Sequence, residues 1–435
     1  MQNSHTFAHS YDVIVIGAGP AGSTTAALVA KAGRRVLLIE RDRFPRFHIG
    51  ESLMPETYWT FERLGVLDQL KNSHFVKKYS VQFVNSTGKE SAPFYFDMTN
   101  PHESSQTWQV LRSEFDQMLL DNAQRLGAEV WQETNVTDIL LEQTPDDHLP
   151  RAVGVEVVQK SAQSRKLRLG ARVVVDATGT SALLSRKLGI RKPDPRLRKA
   201  SLFAHYKGGR RDPGRDEGAT LVLSTPNQDG WFWYIPLHDD IVSVGVVGDI
   251  DNLVTRRSTT PEQTLADEIA NCASISTRLT EATRVSPVHV LSDFSYRSTR
   301  CAGEGWVLVG DAFGFLDPIY SSGVFLALKS GEMAADAIVE ALNAQDTGPA
   351  RLGQWGSELN DGMQAIRKLV YAFYTRGFSF GQFIRENPQF KGNLVDLLVG
   401  DVFRPEVCDI FKVMGDKIPL PDAVNLDPVP TPTRA

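Results

Sequence analysis

The sequence predicts an α/β fold in which a Rossmann-like nucleotide-binding domain is interleaved with an antiparallel-sheet domain and followed by a carboxy-terminal helical region. Three observations predict it. A glycine-rich turn follows a short apolar strand near the amino terminus. Two later apolar strands end in small-residue turns, and several strand-like segments separated by polar turns lie between residues 196 and 290.

The composition is that of an ordinary globular protein. The chain has 435 residues, of which 42% are apolar and 23% charged, with a net charge of −5. These values exclude a disordered, collagen-like or disulfide-rich chain and argue against a nucleic-acid partner. Cys272, Cys301 and Cys408 lie far apart without metal-type spacing, so we expect free thiols, a cytoplasmic location and no metal site. No apolar run approaches about 18 residues, so no membrane span is predicted.

The first element is a strand that leads through a glycine-rich turn into a helix. Residues 11–16 form a β-branched run, residues 17–22 have the spacing GxGxxG, and an alanine-rich helical stretch covers 23–31. The first glycine permits a tight turn, the second lets the backbone approach a pyrophosphate, and the third lets the helix pack closely. The helix N-terminus attracts phosphates. The predicted contacts to the dinucleotide are Gly17, Gly19, Pro20, Ala21 and Gly22.

The second strand, at 35–39, ends at an acidic residue. Glu40 lies 18 residues past Gly22, where a carboxylate can accept both ribose hydroxyls, and Arg41 follows it as a further contact. An acid at this place argues against a 2′-phosphate. The arrangement of strand, turn, helix, strand and acid therefore predicts a dinucleotide site, without separating FAD from NAD.

Further segments favour FAD. Gly50-Glu51-Ser52 follows the acid, residues 173–179 form a strand ending in Asp-Ala-Thr-Gly, and a strand at 306–309 ends in Gly-Asp, where the carboxylate of Asp311 can bind a ribityl hydroxyl. This set resembles the FAD-binding fold shared by aromatic hydroxylases, geranylgeranyl reductases and flavin-dependent halogenases. The resemblance implies a Rossmann-like FAD-binding domain of the aromatic hydroxylase type. It also implies that Arg112 lies near the flavin phosphates or ring.

Two motifs narrow the resemblance to flavin-dependent halogenases that act on phenols or pyrroles. Residues 231–236 fit WxWxIP, residues 315–323 fit FxxPxxSxG, and the resemblance covers nearly all of 11–345. It implies that Trp231 and Trp233, which share one face of a strand, separate the flavin from the substrate. The other roles that it implies are a halide site at Ser321, Ser322 and Gly323, with Ser321 also catalytic, and flavin contacts at Pro318, Gly323 and Val324.

Residues 75–84 are predicted to form one strand that carries two adjacent lysines. The period of two sends Lys77 and Lys78 to opposite faces, and Lys78 shares its face with Ser80 and Gln82, which suits a tunnel mouth. In flavin-dependent halogenases, a lysine on such a strand guides hypohalous acid to the substrate. The resemblance therefore implies this role for Lys78, with Lys77 as the alternative.

The implied reaction needs two proteins. A separate flavin reductase supplies reduced FAD, which reacts with oxygen, and chloride or bromide is oxidised to hypohalous acid. Lys78 then holds this acid by a hydrogen bond, or forms a haloamine, beside an electron-rich aromatic ring. Tryptophan halogenases tend to be larger than this chain, so the resemblance favours a phenolic or pyrrolic substrate, either free or tethered to a carrier protein.

Three alternatives remain open at this point. A single-component aromatic hydroxylase would reduce its FAD with NAD(P)H and would not need Lys78 or the tryptophan pair. A geranylgeranyl-reductase-like enzyme would need a more apolar tunnel. A binding protein on the same fold would have lost its chemistry, which the glycines and Asp311 argue against.

The elements predict four regions. The FAD-binding domain is discontinuous and covers 11–75, 106–195 and 291–345, while a substrate-binding sheet domain covers 76–105 and 196–290. A carboxy-terminal helical region covers 346–418, and a proline-rich tail covers 419–435.

Overall fold

The computed structural model describes residues 7–144, 149–160, 166–292 and 294–428. In chain order, the strands are β1 (His9–Ile16), β2 (Val36–Ile39), β3 (Val76–Lys78), β4 (Ser80–Val84), β5 (Phe94–Tyr95), β6 (Thr107–Gln109), β7 (Glu129–Trp131), β8 (Thr134–Glu142), β9 (Arg151–Gln159), β10 (Lys166–Asp176), β11 (Arg191–Pro193), β12 (Lys199–Lys207), β13 (Thr220–Ser224), β14 (Gly230–Pro236), β15 (Ile241–Asp249), β16 (Thr283–Arg284), β17 (His289–Ser292), β18 (Tyr296–Ser298), β19 (Ala302–Gly303), β20 (Trp306–Leu308) and β21 (Gly314–Phe315).

The helices follow the same convention. They are α1 (Pro20–Lys31), α2 (Thr57–Leu64), α3 (Leu67–Lys71), α4 (Arg112–Arg125), α5 (Leu183–Lys187), α6 (Pro261–Asn271), α7 (Ala273–Arg278), α8 (Ser322–Asn343), α9 (Pro349–Leu352), α10 (Gly356–Tyr374), α11 (Phe380–Glu386), α12 (Lys391–Val399) and α13 (Ile410–Gly415).

The first sheet is built on the amino-terminal strand. Its order is β19-β20-β10-β1-β2-β7, and the strands from β20 to β7 run parallel. The antiparallel pair β8 and β9 extends it beside β10. The central strands are buried on both faces, as parallel strands covered by helices are, and this explains their unbroken β-branched sequences. Helices α1 and α8 pack together, with their backbones in close approach at Gly331.

The second sheet separates two cores. Its order is β16-β12-β15-β14-β13-β4-β5, with β17 also beside β12, and all its pairs are antiparallel except β13 with β4. Side chains alternate along β14, so Trp231 and Trp233 face the large core shared with the first sheet. Phe232 and Tyr234 face a second core that Leu265 of α6 helps to close. The strand thus presents its tryptophan face to the first sheet.

The predicted fold class is confirmed. The structure contains the Rossmann-like sheet, the interleaved antiparallel sheet and the helices after residue 346. The domain boundaries stay a prediction. Of the proline-rich tail, residues 429–435 lie outside the described residues, and residues 419–428 form neither helix nor strand. Among the described helices, none combines the length and the apolar character needed to cross a bilayer.

One element differs from its prediction. Residues 75–84 do not form a single strand, because the chain leaves one sheet at Tyr79 and enters another. β3 pairs with β6, whereas β4 joins the second sheet beside β13. Lys77 is exposed and Lys78 is buried, so the two lysines do point to opposite sides. Ser80 and Gln82 are buried as well. The polar face that they form therefore lies inside the protein, whereas the sequence predicted it at a tunnel mouth.

Candidate active site

A cavity of about 620 Å³ lies between the two sheets, at the carboxyl ends of β1 and β2. This volume is within the usual range for a ligand pocket, and its place at the strand ends is typical of open α/β sheets. Most residues that the sequence singled out line this cavity. They are Gly17, Gly19, Pro20, Ala21, Glu40, Arg41, Gly50, Glu51, Ser52, Arg112, Trp231, Trp233, Asp311, Pro318, Ser321, Gly323 and Val324. Gly22, Lys78 and Ser322 are predicted site residues that do not line it.

The glycine-rich turn has the geometry that its spacing requires. Gly17 has a φ of +99°, and a Cβ on it would lie 2.4 Å from the backbone oxygen of Ala177. A Cβ on Gly22 would lie 1.9 Å from the oxygen of Gly17, so the first turn of α1 can have only glycine at this position. Gly19 instead borders open space, because the nearest atom to its Cβ would be a side-chain nitrogen of Arg46 at 3.8 Å.

Glu40 is fixed by the backbone around it. Its Oε2 accepts a hydrogen bond of 2.9 Å from the N–H of Ala18, and its Oε1 accepts one of 3.0 Å from the N–H of Asp42. The carboxylate is therefore pre-oriented at the cavity wall, beside the glycine-rich turn. This is where a ribose hydroxyl would need an acceptor.

Arg112 is held by a buried carboxylate that the sequence reasoning missed. Asp116 accepts from Nε of Arg112 at 2.7 Å and from Nη2 at 3.0 Å, and its Oδ2 also accepts from Nη1 of Arg46 at 3.1 Å. Nη1 of Arg112 donates to the backbone oxygen of Ile49 at 2.5 Å. The signal was the spacing of four between Arg112 and Asp116 on one helix, which places both on the same side.

Asp311 follows β20 and lines the cavity. Desolvation by burial raises the pKa of its carboxyl to about 7, while the nearby Arg112 guanidinium acts in the other direction. A hydroxyl donor from a ligand would satisfy this carboxyl.

The residues present fit FAD. Helices α1 and α8 both begin at the cavity, and neither has a side-chain hydrogen bond at its N-cap. The first N–H groups and the positive dipole end of α1, which follow the glycine-rich turn, therefore suit the phosphates of a dinucleotide. Glu40 and Asp311 add acceptors for sugar hydroxyls, and Oε2 of Glu51 is buried without a hydrogen-bond partner among the described residues. FAD bound here would supply the redox chemistry.

The FxxPxxSxG segment forms the turn that starts α8. Asp317 caps this turn, since its Oδ1 accepts from the N–H of Ile319 at 3.0 Å. Ser321 has a φ of +58° and lines the cavity, whereas Ser322 is buried. Backbone N–H groups at the start of α8 have no partner within the helix, which is a suitable environment for a halide. The halide position at Ser321, Ser322 and Gly323 stays a prediction.

Hydrogen bonds hold the tryptophan pair in one wall of the cavity. The ring centroids of Trp231 and Trp233 are 6.1 Å apart, and the Nε1 atom of Trp233 donates to Ser243 at 3.1 Å. Nε1 of Trp231 donates to the hydroxyl of Tyr374 at 2.9 Å, and this hydroxyl donates to Oδ2 of Asp317 at 3.0 Å. The hydrogen-bonded chain from Trp231 to Asp317 joins the two motifs and includes a tyrosine of α10.

Lys78 is hydrogen-bonded to a residue of the cavity wall but does not line the cavity itself. Its side chain is 3% exposed, and its Nζ donates to Oγ of Ser52 at 2.9 Å and to the oxygen of Leu53 at 2.9 Å. Ser52 lines the cavity and bonds to Thr220, 2.8 Å away. Burial lowers the pKa of Lys78 to about 7, so a substantial fraction of the amine is neutral at neutral pH. A neutral amine is a nucleophile.

A buried pair formed by a histidine and a glutamate was not predicted from the sequence. Nε2 of His205 lies 2.6 Å from Oε1 of Glu51, and both side chains are buried. Phe47 stacks on His289 beside them, with ring centroids 4.1 Å apart. No sequence pattern connects Glu51 with His205, because 154 residues separate them.

Fold and site together define an FAD-dependent oxidoreductase. Residues 10–364 match the family model described as an FAD binding domain. The chain is 35% identical, over 91% of its length and 93% of the relative, to a 1H-pyrrole-2-carbonyl-[peptidyl-carrier protein] brominase from Pseudoalteromonas luteoviolacea. It is 29% identical, over 97% and 95%, to the corresponding chlorinase of Pseudomonas fluorescens. The solved structure of the flavin-dependent brominase Bmp2 superposes with a TM-score of 0.82 at 32% identity, covering 94% of this chain and 98% of that one.

The chain belongs to the flavin-dependent halogenase family. It is an FAD-dependent oxidoreductase that uses a halide ion, chloride or bromide. The halogenase hypothesis is thereby confirmed over the hydroxylase, reductase and binding-protein alternatives.

Proposed function

We propose that this enzyme halogenates a pyrrole ring carried as a thioester on a peptidyl carrier protein. The observation that carries the proposal is the match, over more than nine-tenths of both chains, to two relatives whose names state that substrate. The cavity is consistent with a flat, uncharged ring. Apolar side chains, Trp231, Trp233, Phe203 and Val222 among them, line the part of the cavity formed by the second sheet.

The mouth of the cavity supports a tethered substrate. Phe47, Val290 and Leu291 line the cavity and are also exposed to solvent, with relative exposures between 37% and 42%. Exposed apolar groups of this kind are typical of an interaction site. A carrier protein bound there would insert its pyrrole thioester between the two sheets.

We assign the following roles to the predicted site residues. Lys78 takes up the oxidised halogen as a hydrogen-bonded hypohalous acid or a haloamine, and its low pKa favours the neutral amine that a haloamine requires. Ser321, Ser322 and Gly323 hold the halide, with Ser321 also acting in catalysis. Trp231 and Trp233 keep the ring apart from the flavin.

The chain is divided, in this proposal, into an FAD-binding domain at 11–75, 106–195 and 291–345 and a substrate-binding sheet domain at 76–105 and 196–290. The helical region at 346–418 supports the cavity through the hydroxyl of Tyr374, which bonds to Trp231 and Asp317.

The test compares tethered and free substrates. The enzyme is incubated with a flavin reductase, FAD, NADH, oxygen and bromide or chloride, and with pyrrole-2-carbonyl carrier protein, free pyrrole-2-carboxylate or a panel of phenols. Mass spectrometry of the carrier-bound product should show the isotope pattern of the halogen, and the free acid should react far more slowly. Halogenation of a free phenol in preference to the carrier-bound pyrrole would refute the substrate assignment. Oxygenated products without halogen would refute the proposed reaction.

A further inference from the structure

A cluster of two histidines and one glutamate lies outside the cavity. His74 precedes β3, Glu114 is in the first turn of α4, and His238 lies in the turn between β14 and β15. One ligand-type atom from each side chain lies within 4.8 Å of the others. Nε2 of His74 is 2.8 Å from Oε2 of Glu114, and Nε2 of His238 is 3.4 Å from Oε1 of the same carboxylate. None of these residues has a role in the proposed reaction.

His238 is the observation that points to a ligand. Its side chain is only 9% exposed, and its Nε2 is buried and makes no hydrogen bond among the described residues. Its other ring nitrogen, Nδ1, lies 3.0 Å from Oδ2 of Asp239. If Nδ1–H donates to Asp239, Nε2 presents a bare lone pair to the cluster. Two acceptors, this nitrogen and the Glu114 carboxylate, then face one another at 3.4 Å.

A divalent metal ion resolves this conflict. Imidazole nitrogens and a carboxylate oxygen bind Zn²⁺ at about 2.0 to 2.2 Å, and two histidines with one glutamate are a known ligand set that leaves one position for water. Ligand atoms around a tetrahedral ion lie about 3.4 Å apart at such bond lengths, so the observed distances need only small side-chain adjustments. The bond from Nδ1 of His238 to Asp239 matches the carboxylate–histidine pairing that orients metal-binding imidazoles.

We propose that His74, Glu114 and His238 form a binding site for one divalent transition-metal ion of the zinc type, with Asp239 orienting His238. The site is accessible, because the side chains of His74 and Glu114 are 63% and 39% exposed. Metal-ligand spacing in the sequence predicted no such site, since the three ligands come from distant parts of the chain.

The proposed ion would join three segments that also carry the active site. His74 lies four residues before Lys78, Glu114 lies two residues after Arg112, and His238 lies two residues after the end of the tryptophan strand β14. A bound metal would thus fix the lysine strand, the arginine helix and the tryptophan strand relative to one another.

The test is direct metal binding by the full chain without an affinity tag. The protein is stripped with a chelator, dialysed and titrated with Zn²⁺ by calorimetry and by competition with a chromogenic chelator. We expect one Zn²⁺ per chain. His238→Ala and His74→Ala should each weaken binding by more than about 100-fold, since even outer partners contribute about 10- to 100-fold. His102→Ala, which removes a histidine outside the cluster, should bind as the wild type does.

Two further measurements separate a metal site from general damage to the fold. Asp239→Asn should weaken Zn²⁺ binding by about 10- to 100-fold while leaving the circular dichroism spectrum and FAD binding unchanged. Co²⁺ titrated in place of Zn²⁺ should develop visible absorption bands in the wild type and not in His74→Ala, whose side chain is largely exposed. The proposal is overturned if the wild type binds no Zn²⁺, or if His238→Ala and His74→Ala bind it with unchanged affinity and stoichiometry.

Discussion

Lys78 combines two properties that are rarely found together in a lysine, because it is almost fully buried and has no carboxylate partner among the described residues. Its Nζ is held by a hydroxyl and a backbone oxygen, both uncharged. Desolvation alone lowers its pKa to about 7. The amine is therefore available as a neutral nucleophile near neutral pH, and Ser52 connects it to the cavity.

We expect Lys78→Ala to lower the rate of halogenation by at least about 100-fold, the usual scale for losing a group that acts on the reacting atoms. Lys78→Arg should be similarly impaired, because a guanidinium cannot supply a neutral amine. Lys77→Ala is the matched control, since Lys77 is adjacent but exposed, and should retain the rate. Product formation is measured by mass spectrometry with the reductase in excess. A normal rate in Lys78→Ala, or a large loss of rate in Lys77→Ala alone, would show that Lys78 does not have this role.

The buried carboxylate of Asp116 determines where Arg112 can point. Asp116 is fully buried and accepts hydrogen bonds from Arg112 and Arg46. We expect Asp116→Asn to lower the free energy of unfolding by about 3 kcal/mol, because removing one partner leaves a buried guanidinium with less compensation. FAD affinity should fall as well.

Asp121→Asn is the control for Asp116→Asn, because Asp121 lies on the same helix and is exposed. Urea denaturation gives the free energy of unfolding, and quenching of flavin fluorescence gives the dissociation constant for FAD. If Asp116→Asn matched this control in both measurements, Asp116 would not position Arg112.

At the scale of elements, the start of α1 is closely packed at one glycine and open at another. A Cβ on Gly22 would overlap the backbone oxygen of Gly17, whereas a Cβ on Gly19 would meet only the flexible end of Arg46. The same substitution should therefore have different effects at two positions three residues apart. Gly22→Ala tests packing of the helix against the turn, and Gly19→Ala tests approach of the ligand to the turn.

We expect Gly22→Ala to lower the stability of the flavin-free enzyme by about 1 to 3 kcal/mol or more, as overpacking against rigid backbone does. Gly19→Ala should leave that stability within about 0.5 kcal/mol of the wild type, yet bind FAD at least about tenfold more weakly. Urea denaturation without FAD and a fluorescence titration with FAD give the two values. Equal effects of the two substitutions on stability would contradict this account of the turn.

Elements that are determined by residues close together in the chain could be predicted from the sequence. The strand, turn and helix around Gly17 and the strand Gly230–Pro236 follow from short-range spacing, and the structure has both. Lys78 was placed on the correct side of the chain but at a tunnel mouth, because the break at Tyr79 depends on which sheet each half joins. The pair Glu51 and His205 arises from contacts across 154 residues, which no local period encodes.

At the scale of the whole molecule, three buried titratable groups, one of which lines the cavity, couple stability to pH. Burial raises the pKa of Asp317 to about 7, against the opposing effects of its hydrogen bonds from Ile319 and Tyr374 and of the Lys199 charge. It raises the pKa of Asp311 and lowers that of Lys78, each to about 7. The two carboxyls and the amine therefore titrate in the same pH range in the folded protein, although their ordinary values lie far apart.

The direction in which each group changes stability with pH follows from the difference between its pKa in the folded and in the unfolded protein. A carboxyl with a raised pKa contributes stability that is fully present below its ordinary pKa of 3.8 and is lost as pH rises through 7. A lysine with a lowered pKa contributes stability that is present above 10.5 and is lost as pH falls through 7. The three groups together therefore stabilise the flavin-free protein least near pH 7.

We therefore expect Asp317→Asn to change the pH dependence of stability and not only its level. Relative to the wild type, the variant should gain stability steadily between pH 4 and pH 8, by up to about 4 kcal/mol, because asparagine does not ionise. Lys78→Met should behave in the opposite sense and gain most at pH 6 and least at pH 10. Urea denaturation of the flavin-free proteins at five pH values measures both. A constant offset between Asp317→Asn and the wild type at every pH would mean that Asp317 titrates near its ordinary value in the folded state, since hydrogen bonds lost to asparagine lower stability without changing its slope with pH.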